Sequence, residues 1–396
     1  MDKALREQFN QHFTESKYTD YLKQLDSLFP GAIDFRVAET PVFIPKTLKH
    51  QMLDTCEAII DFIKDPSFKS LTERSIPTHL NVPNEDEHPQ MLVFDFGICE
   101  NKQGEWEPQL IEMQGFPSLY AFEFLSAPIA REYASIPPSF DSFLNGYDAN
   151  SYKNLLQSVI VGNHAPEQVV LLEIHPEHQK TRIDFHCTEK LLGIQPLCIT
   201  QLIREGLQLY YEKDGKKIRI RRIYNRVIFD DLQQQESLDN LIDITAPYEV
   251  EWAPHPNWFY RISKFTLPFI QHPFVPITYF LNELSTPLPW EDYVLKPLFS
   301  FAGMGVLLEV TQEDIDKIPD PENWIVQKKV NYAPVVQTLD EPAKAEIRLF
   351  YFWDQGWSKP VAVHNLARLS KGKMIGTRYN QDKTWVGGTI AFFEKD

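Results

Sequence analysis

The spacing of apolar residues changes near residue 91, and this change constrains the fold more than any other feature of the chain. Before it, apolar residues recur every three or four positions, which predicts that residues 1–70 are mainly helical. After it, residues 91–98 and 109–114 have the composition and two-residue period of strands, joined by a polar loop. A chain that carries both periods in separate segments is expected to be a mixed α and β protein.

Length and charge narrow the class of protein. The 396 residues are enough for two or three domains, for which we expect the boundaries 1–150, 151–265 and 266–396. A net charge of −16 argues against a general binder of nucleic acid or anionic membranes, since such proteins need a basic surface. The first residues lack the apolar core of a secretion signal, and no run approaches the ~18 apolar residues of a membrane span, so a cytoplasmic location is expected.

Cysteine and histidine show no metal-binding or disulfide pattern. The cysteines include no Cys-x-x-Cys pair, so we expect buried, reduced thiols rather than a zinc site. They are Cys56, Cys99, Cys187 and Cys198. His175, His178 and His186 lie near a strand of an α/β segment, where surface or capping roles are more common than catalytic ones.

Two carboxylates oppose each other if the segments 91–98 and 109–114 form one antiparallel hairpin. A turn centred on residues 103–104 pairs Asp95 with Glu112, and the two-residue period puts Leu110 and Gln114 on the same face, with Ile111 on the other, apolar face. Opposed carboxylates about 5 Å apart repel each other. A divalent cation such as Mg²⁺ would offset the repulsion. The alternative is an outer face where water screens the pair.

The run 294–306 combines a lysine with small residues. Lys296 ends an apolar strand and projects its charge over the following loop. Small residues there let backbone N–H groups approach an anion, as phosphate-binding loops require. They are Ser300, Ala302, Gly303 and Gly305. The run matches neither a Walker A loop nor a dinucleotide-binding fingerprint, and a simple tight turn is the alternative.

Two arginines interrupt the apolar strands predicted at 346–352 and 361–366. Arg348 and Arg368 lie within or beside these strands, where arginine usually has an anionic partner. The pair Gly387-Gly388 follows near the end of the chain.

Residues 165–230 have the pattern of an α/β unit. We expect a strand at 169–174, a helix at 181–192 that ends at Gly193, and a strand at 196–200. A hairpin about Asp214-Gly215 follows, with its second strand over 218–228. That strand contains the polar run Tyr224-Asn225-Arg226. Arg226 is a candidate clamp for a substrate carboxylate, and an exposed strand edge is the alternative.

Taken together, these motifs resemble those of the ATP-grasp superfamily and its glutathione-synthetase-like members. In that family a strand ending in Lys-Pro precedes a small-residue loop, as Lys296-Pro297 does here. The family also has an adenine-binding hinge strand, which residues 324–330 resemble. It has three further motifs, namely Asp-x-Arg, Ala-Arg and a later Gly-Gly. The last three are similar to Glu346-Ile347-Arg348, Ala367-Arg368 and Gly387-Gly388. The family's metal ligands, Asp and Glu-x-Asn, look like Asp95 and Glu112-Met113-Gln114, with Gln114 in place of Asn and Glu346 in place of Asp.

The order of the motifs resembles the circularly permuted ATP-grasp proteins, the group that contains glutathionylspermidine synthetase. The metal-binding strands come first here, whereas in ordinary members they come last. The resemblance implies an α+β fold in which a permuted ATP-grasp unit flanks a Rossmann-like pre-ATP-grasp unit. Residues 1–150 would hold N-terminal helices and metal strands, 151–265 the acceptor side, and 266–396 the nucleotide-binding lobes.

The resemblance implies an ATP- and Mg²⁺-dependent ligase that joins a small-molecule carboxylate to an amine or thiol through an acylphosphate. ATP and two Mg²⁺ ions would be the cofactors. Lys296, Arg348 and Arg368 would be catalytic, Asp95, Glu112 and Gln114 would bind metal, and Tyr224, Asn225 and Arg226 would contact the acceptor. The nucleotide would be held by Lys296, Ser300, Ala302, Gly303, Met304, Gly305, Val306, Gln327, Lys328, Lys329 and Val330. The alternatives are a small-molecule phosphotransferase and a non-catalytic nucleotide-binding protein.

Overall fold

The protein has a mixed α and β fold. The computed structural model describes residues 1–233, 241–299, 305–373, 375, 380 and 382–396. Four helices fall within the first 71 residues, all of which are described, and this confirms the prediction of a mainly helical N-terminus. The α-helices are α1 (Lys3–His12), α2 (Glu15–Asp26), α3 (Lys46–Ile63), α4 (Phe68–Leu71), α5 (Tyr120–Tyr133), α6 (Ala149–Val161), α7 (Arg182–Leu192), α8 (Phe229–Gln233), α9 (Asn257–Arg261) and α10 (Gln312–Asp316).

Strands of the described residues form five sheets. The strands are β1 (Val42–Ile44), β2 (Met91–Glu100), β3 (Trp106–Gln114), β4 (Phe140–Asp141), β5 (Val169–Glu173), β6 (Gln195–Cys198), β7 (Ile203–Glu205), β8 (Gln208–Lys213), β9 (Lys216–Ile220), β10 (Arg222–Asn225), β11 (Glu251–Ala253), β12 (Thr278–Phe280), β13 (Tyr293–Pro297), β14 (Trp324–Lys328), β15 (Lys344–Phe352), β16 (Val361–Ser370), β17 (Gly387–Thr389) and β18 (Ala391–Glu394). The sheet orders are β1-β18-β4, β11-β10-β5-β6, β12-β14-β13, β17-β16-β15-β2-β3 and β7-β8-β9.

The five-stranded antiparallel sheet forms the centre of the fold, and its two faces differ. One face is apolar along its length and packs against α3, with Phe94, Ile347 and Ile59 in the same buried cluster. On the other face, one end of the strands is apolar, and Val93 and Phe350 pack there with residues of α5 and α6. The other end of that face carries charged side chains. Strand alternation therefore gives the sheet one apolar face and a second face on which charged side chains lie next to apolar ones.

Strands β2 and β3 pair as an antiparallel hairpin, and Asp95 lies opposite Glu112 as predicted. Beyond Asp95 the register shifts by one residue, so Phe96 pairs with Leu110 instead of Ile111. The predicted faces of these two residues were therefore wrong. Leu110 belongs to the apolar cluster beneath the sheet, while Ile111 is the extra, half-buried residue of a β-bulge.

A parallel four-stranded sheet forms the α/β unit. Helix α7 ends at Gly193, whose φ of +71° is the left-handed conformation that terminates many helices. The strand predicted over 218–228 was wrong, because the chain leaves one sheet and enters another at Arg221. Strand β9 pairs with β8 in the small hairpin sheet, and β10 pairs in parallel with β5 and β11.

The end of the chain returns to its beginning. Strand β18 pairs in parallel with β1, and Ala38 N–H donates to the Gly388 carbonyl. Gly387 has a φ of +124°, and a Cβ there would lie 2.2 Å from the Arg36 carbonyl oxygen. This close approach of two backbones gives Gly387 a structural role. None of the described helices combines the length and apolar character that a membrane span needs.

Candidate functional site

Charged side chains form a row across four neighbouring strands of the five-stranded sheet. Arg348 on β15 pairs with Asp95 on β2, and Asp95 pairs with Glu112 on β3. One step along the sheet, Glu346 on β15 pairs with Arg368 on β16. Because Glu346 and Arg348 are two residues apart, they project from the same face of their strand. We call these five side chains the charged row.

Asp95 is the buried centre of the charged row. Arg348 donates to both of its oxygens, from Nε to Oδ1 at 2.6 Å and from Nη2 to Oδ2 at 2.5 Å. Arg368 Nη2 also donates to Oδ2 at 2.9 Å. The Asp95 side chain is 1% exposed, so the alternative of an outer face screened by water is wrong. The guanidinium groups of Arg348 and Arg368 neutralise this carboxylate, and Arg348 binds it in the bidentate geometry that arginine and carboxylate favour.

Glu346 is the second buried carboxylate of the row. It accepts hydrogen bonds from Arg368 and, at 2.9 Å, from the Tyr332 hydroxyl. Burial raises the pKa of Glu346, and Arg368 acts in the opposite direction. Tyr332 reaches this position because its ring lies over Gly97, which pairs with Glu346 on the neighbouring strand.

The Gly97→Ala variant is expected to be less stable by about 1–3 kcal/mol, because the new methyl group overpacks the site. An alanine Cβ would lie 2.6 Å from Tyr332 Cε1, so the ring has to move and its hydrogen bond to Glu346 is lost. Urea unfolding measures the change. In a Tyr332→Leu background the same substitution should cost much less, and an equal cost in both backgrounds would argue against this contact.

Lys296 reaches the row from the sheet β12-β14-β13. Its Nζ donates to Gln327 Oε1 at 2.5 Å and lies 3.5 Å from the carbonyl oxygen of Ile111, next to Glu112. Burial lowers the pKa of Lys296 to about 8, while Glu112 acts in the opposite direction. The Gln327 amide also donates to Thr278 Oγ1 at 3.2 Å, so both ends of this predicted adenine-reading side chain already have partners.

A small cavity of about 30 Å³ lies beside Glu112 and Gln114. Lys264 lines it, and burial lowers the pKa of this lysine while Glu112 opposes the change. A larger cavity of about 200 Å³, bounded by residues of α1 and α5, contains none of the charged row. We assign the small cavity to the site, because Glu112 of the charged row and Lys264 line it. The larger cavity has more volume, but no side chain of the charged row reaches it.

As arranged, these residues do not fit the predicted metal site. A magnesium ion needs free carboxylate oxygens. Both oxygens of Asp95 are engaged by guanidinium groups, and Arg348 contacts them in a bidentate manner. Glu112 and Gln114 reach the cavity, but a metal ion bound to Asp95 would have to displace an arginine.

Most residues of the predicted glycine loop lie outside the described part of the chain. These are Ser300, Ala302, Gly303 and Met304. Gly305 has a φ of +71°, and a Cβ there would lie 2.9 Å from the Pro297 ring. Val306 is half-buried. In the predicted hinge, Lys328 is exposed, Val330 is half-buried, and Lys329 donates from Nζ to the Glu291 carbonyl.

Of the predicted acceptor residues, Tyr224 and Asn225 lie in the parallel sheet, away from its edges, and Arg226 directly follows their strand. Strand β10 lies between β5 and β11, so the alternative of an exposed edge is wrong. Tyr224 and Asn225 are buried. Arg226, 6% exposed, donates to Asp184 Oδ2 at 2.8 Å and to the Ser118 carbonyl. Its guanidinium group already has a carboxylate partner.

Three residues of the site carry no motif in the sequence. Ser118 accepts a 3.0 Å hydrogen bond from Arg348 and lies in the loop between β3 and α5. Tyr332 and Lys264 also lie outside the strands. A lysine within the aromatic-rich stretch 257–270 was the available signal for Lys264, since a charge in an apolar segment needs a partner.

The chain is similar in fold to a solved structure of low sequence identity. No protein-family profile and no curated protein matches the sequence. The apo structure of a glutathione synthetase-like effector from Globodera pallida matches with a TM-score of 0.56 and 11% identity, over 97% of this chain and 98% of that chain. At this identity the match indicates a related overall fold, and activity has to be argued from the site.

Proposed function

We propose that the protein is an ATP-dependent ligase of permuted ATP-grasp architecture, which joins a small-molecule carboxylate to an amine or thiol. The observation that carries the proposal is the convergence of Arg348, Arg368 and Lys296, from two different sheets, around one row of carboxylates. The fold similarity to a glutathione synthetase-like protein is consistent with it.

The exposure of Arg368 favours an anionic ligand. Arg348, Arg368, Lys296 and Lys264 lie among the three carboxylates of the charged row and Asp230, whose charge acts on Lys264. The Arg368 side chain is 36% exposed, so a ligand can reach it without unfolding the row. Phosphate is an anion that competes well with carboxylate for guanidinium groups, because both offer paired oxygens.

The proposed chemistry assigns a role to each cation. A substrate carboxylate attacks the γ-phosphorus of ATP, which forms an acylphosphate and releases ADP. An amine or thiol then attacks the acyl carbon, and phosphate leaves. Lys296 would orient the phosphates, while Arg348 and Arg368 would stabilise negative charge that develops during both steps. We assign no step to a metal ion, because the residues as arranged do not fit one at Asp95.

The position of the hairpin β2–β3 supports the permuted order. This hairpin comes early in the chain, and it completes a sheet whose other strands, β15, β16 and β17, come near the end. Strand β2 lies directly beside β15, so residues far apart in sequence meet in one row. A permuted chain needs such a pairing, because its predicted metal-binding strands come first in the sequence and the strands of its nucleotide-binding lobe come last, yet both belong to one sheet.

A nucleotide-binding protein without catalytic activity is the second candidate. Its support is the state of Asp95, whose carboxylate accepts three hydrogen bonds from arginines. Departures from the family motif at Gln114 and Glu346 favour the same interpretation.

A screen of metabolite pools separates the candidates. The protein is incubated with MgATP and mixtures of carboxylates with amines or thiols, and both ADP and phosphate are measured. Phosphate release that requires a nucleophile supports the ligase, while ADP formation with a stable phosphorylated product supports a phosphotransferase. A thermal shift with MgATP but no turnover across all pools supports the non-catalytic candidate. Absence of any MgATP response would reject nucleotide binding altogether.

The affinity for ADP is expected to fall as pH rises through about 8. Lys296, with a pKa of about 8, is mostly charged at pH 7.5 and mostly neutral at pH 9, so its attraction for phosphate is lost. Calorimetry at these two pH values should show binding weakened by roughly fivefold to tenfold. A Lys296→Arg variant keeps its charge and should show little dependence. Equal affinities of the unmodified protein at both pH values would contradict the role of Lys296.

A further inference from the structure

The larger cavity, of about 200 Å³, is a separate feature of the molecule, because no residue of the charged row lines it. Its walls come from α1, the first turn of α2, β1 and the segment that follows α5. Protein interiors leave few voids larger than a water molecule, and an apolar cavity of about 150 Å³ is large enough to bind benzene. The cavity can therefore hold one aromatic ring with a short substituent.

Aromatic rings form much of the cavity wall. Phe9, Phe13, Phe43 and Tyr133 all line it. The Phe9 ring centroid lies 5.6 Å from that of Tyr133, with the ring planes at 78°, and 6.3 Å from that of Phe43, with the planes at 60°. Aromatic pairs prefer such edge-to-face and tilted arrangements over parallel sandwiches. A further ring that enters the cavity meets ring faces and edges of this kind, which favours a ligand with an aromatic body.

The polar part of the wall supplies positive charge. Lys17 and His12 line the cavity, and none of its described lining residues is acidic. Both side chains belong to exposed residues, so they lie where the cavity meets solvent. Lys17 Nζ donates to the His12 carbonyl at 2.9 Å, and it forms no ion pair with any carboxylate of the described residues. In a chain of net charge −16, this lining favours an anionic ligand.

A buried arginine packs against two of the rings in the wall. Arg6 is 3% exposed, and its guanidinium carbon lies 4.7 Å from the Phe9 ring centroid and 5.0 Å from that of Phe43. Nη1 donates to Thr40 Oγ1 at 2.6 Å, whereas Nε and Nη2 have no acceptor among the described residues. Burial lowers the pKa of Arg6 to about 9, and it is Tyr133, not a carboxylate, that acts in the opposite direction. An anion in the adjacent cavity would supply the counter-charge that this arginine lacks.

We propose that this cavity binds a small aromatic carboxylate, whose ring packs among the aromatic side chains and whose carboxylate lies at the rim beside Lys17. Arg6 acts on the ligand from behind Phe9 and Phe43, so it favours an anion over a neutral molecule without direct contact. The size of the cavity selects a ligand with one ring. This site goes beyond the proposed ligase function and does not rest on it, because the two sites share no residue.

Calorimetry on the full-length protein tests the site with 3-phenylpropionate as the probe. The expected result is saturable binding of one equivalent. The neutral analogue 3-phenylpropan-1-ol should bind about tenfold more weakly, because it lacks the charge that meets Lys17 and Arg6. An absence of saturable binding at millimolar probe, or equal affinities for the acid and the alcohol, would overturn the proposal. MgATP is left out of these measurements, so their outcome is independent of the ligase proposal.

Charge substitutions test how the carboxylate is recognised. Lys17→Gln should weaken binding of the acid by about threefold to fivefold, as expected for an exposed ion pair. Lys23→Gln is the matched control on the same helix, since its side chain is 72% exposed, and it should bind as the unmodified protein does. Arg6→Met should reduce the preference for the acid over the alcohol while affinity for the alcohol stays the same. An unchanged preference in both Lys17→Gln and Arg6→Met would contradict the proposed mode of binding.

A substitution that fills the cavity tests the location. Ala134 lines the cavity, so the ring of Ala134→Phe should occupy it and abolish binding of 3-phenylpropionate. Ala4→Phe, at an exposed position of α1, is the control and should bind normally. The melting temperature shows whether each variant is folded, and Lys17→Gln still decides the question if Ala134→Phe is not. Full affinity in a folded Ala134→Phe variant would overturn the proposal. So would a dimer that Ala134→Phe disrupts while the unmodified protein binds no probe, since the cavity would then be a contact between copies.

Discussion

Replacement of Arg348 by methionine is expected to lower the free energy of unfolding by about 3–5 kcal/mol. The substitution removes two hydrogen bonds from Asp95, whose side chain is 1% exposed, and leaves Arg368 as its remaining guanidinium partner. A buried carboxylate that loses its main counter-charge pays the cost of desolvation without compensation. Urea unfolding followed by far-UV circular dichroism measures the loss.

A second substitution tests whether Asp95 is the cause. In the double variant Asp95→Asn/Arg348→Met the buried charge is gone, so the double variant should be more stable than Arg348→Met alone. Lys317→Met is the matched control, because its pair with Glu313 has side chains 68% and 78% exposed and should contribute little. A double variant no more stable than Arg348→Met would show that the lost packing of the arginine, rather than the unpaired carboxylate, causes the effect.

The elements that depend on local pattern could be predicted from the sequence. The two-residue period of 91–98 and 109–114 gave the hairpin and the opposition of Asp95 to Glu112, which the structure confirms. Arginines within apolar strands predicted anionic partners, and Arg348 and Arg368 have them. In each case the evidence lies within one strand or within two strands that follow each other in the sequence, where burial and strand geometry determine what each side chain can do.

The position of the β-bulge, the change of sheet at Arg221 and the tertiary hydrogen bonds of the site could not be predicted from the sequence pattern. Leu110 and Ile111 are both apolar, so alternation could not show which of them occupies the bulge. The strand pattern continues through Arg221, although the chain changes sheets there. The bonds of Tyr332 to Glu346 and of Ser118 to Arg348 arise from tertiary packing, which a single sequence does not encode in a local motif.

The charged row has a consequence for how a ligand would bind. Asp95 and Glu346 share Arg368, and a phosphate that binds this arginine competes with both carboxylates. Part of the attraction for the ligand is therefore offset by the loss of internal ion pairs. Lys296 differs, because its hydrogen bonds are to a neutral amide and a backbone carbonyl. A phosphate can replace these hydrogen-bond partners without breaking a hydrogen-bonded ion pair.

Replacement of Lys296 by alanine is therefore expected to have the largest effect on catalysis, a loss of roughly 10²-fold or more in the rate of ADP formation. Removal of one preorganised charge that stabilises a developing negative charge typically costs about 3 kcal/mol of activation free energy. ADP release with the substrate pair found in the screen measures the rate, and the melting temperature shows whether the loss of the bond to Gln327 has disturbed the fold. Lys317→Ala is the control, because this exposed lysine on the loop after α10 should leave the rate unchanged. Near-normal ADP formation by a folded Lys296→Ala variant would rule out Lys296 as the phosphate-orienting residue, and with it the proposal that the charged row and this lysine form one active site.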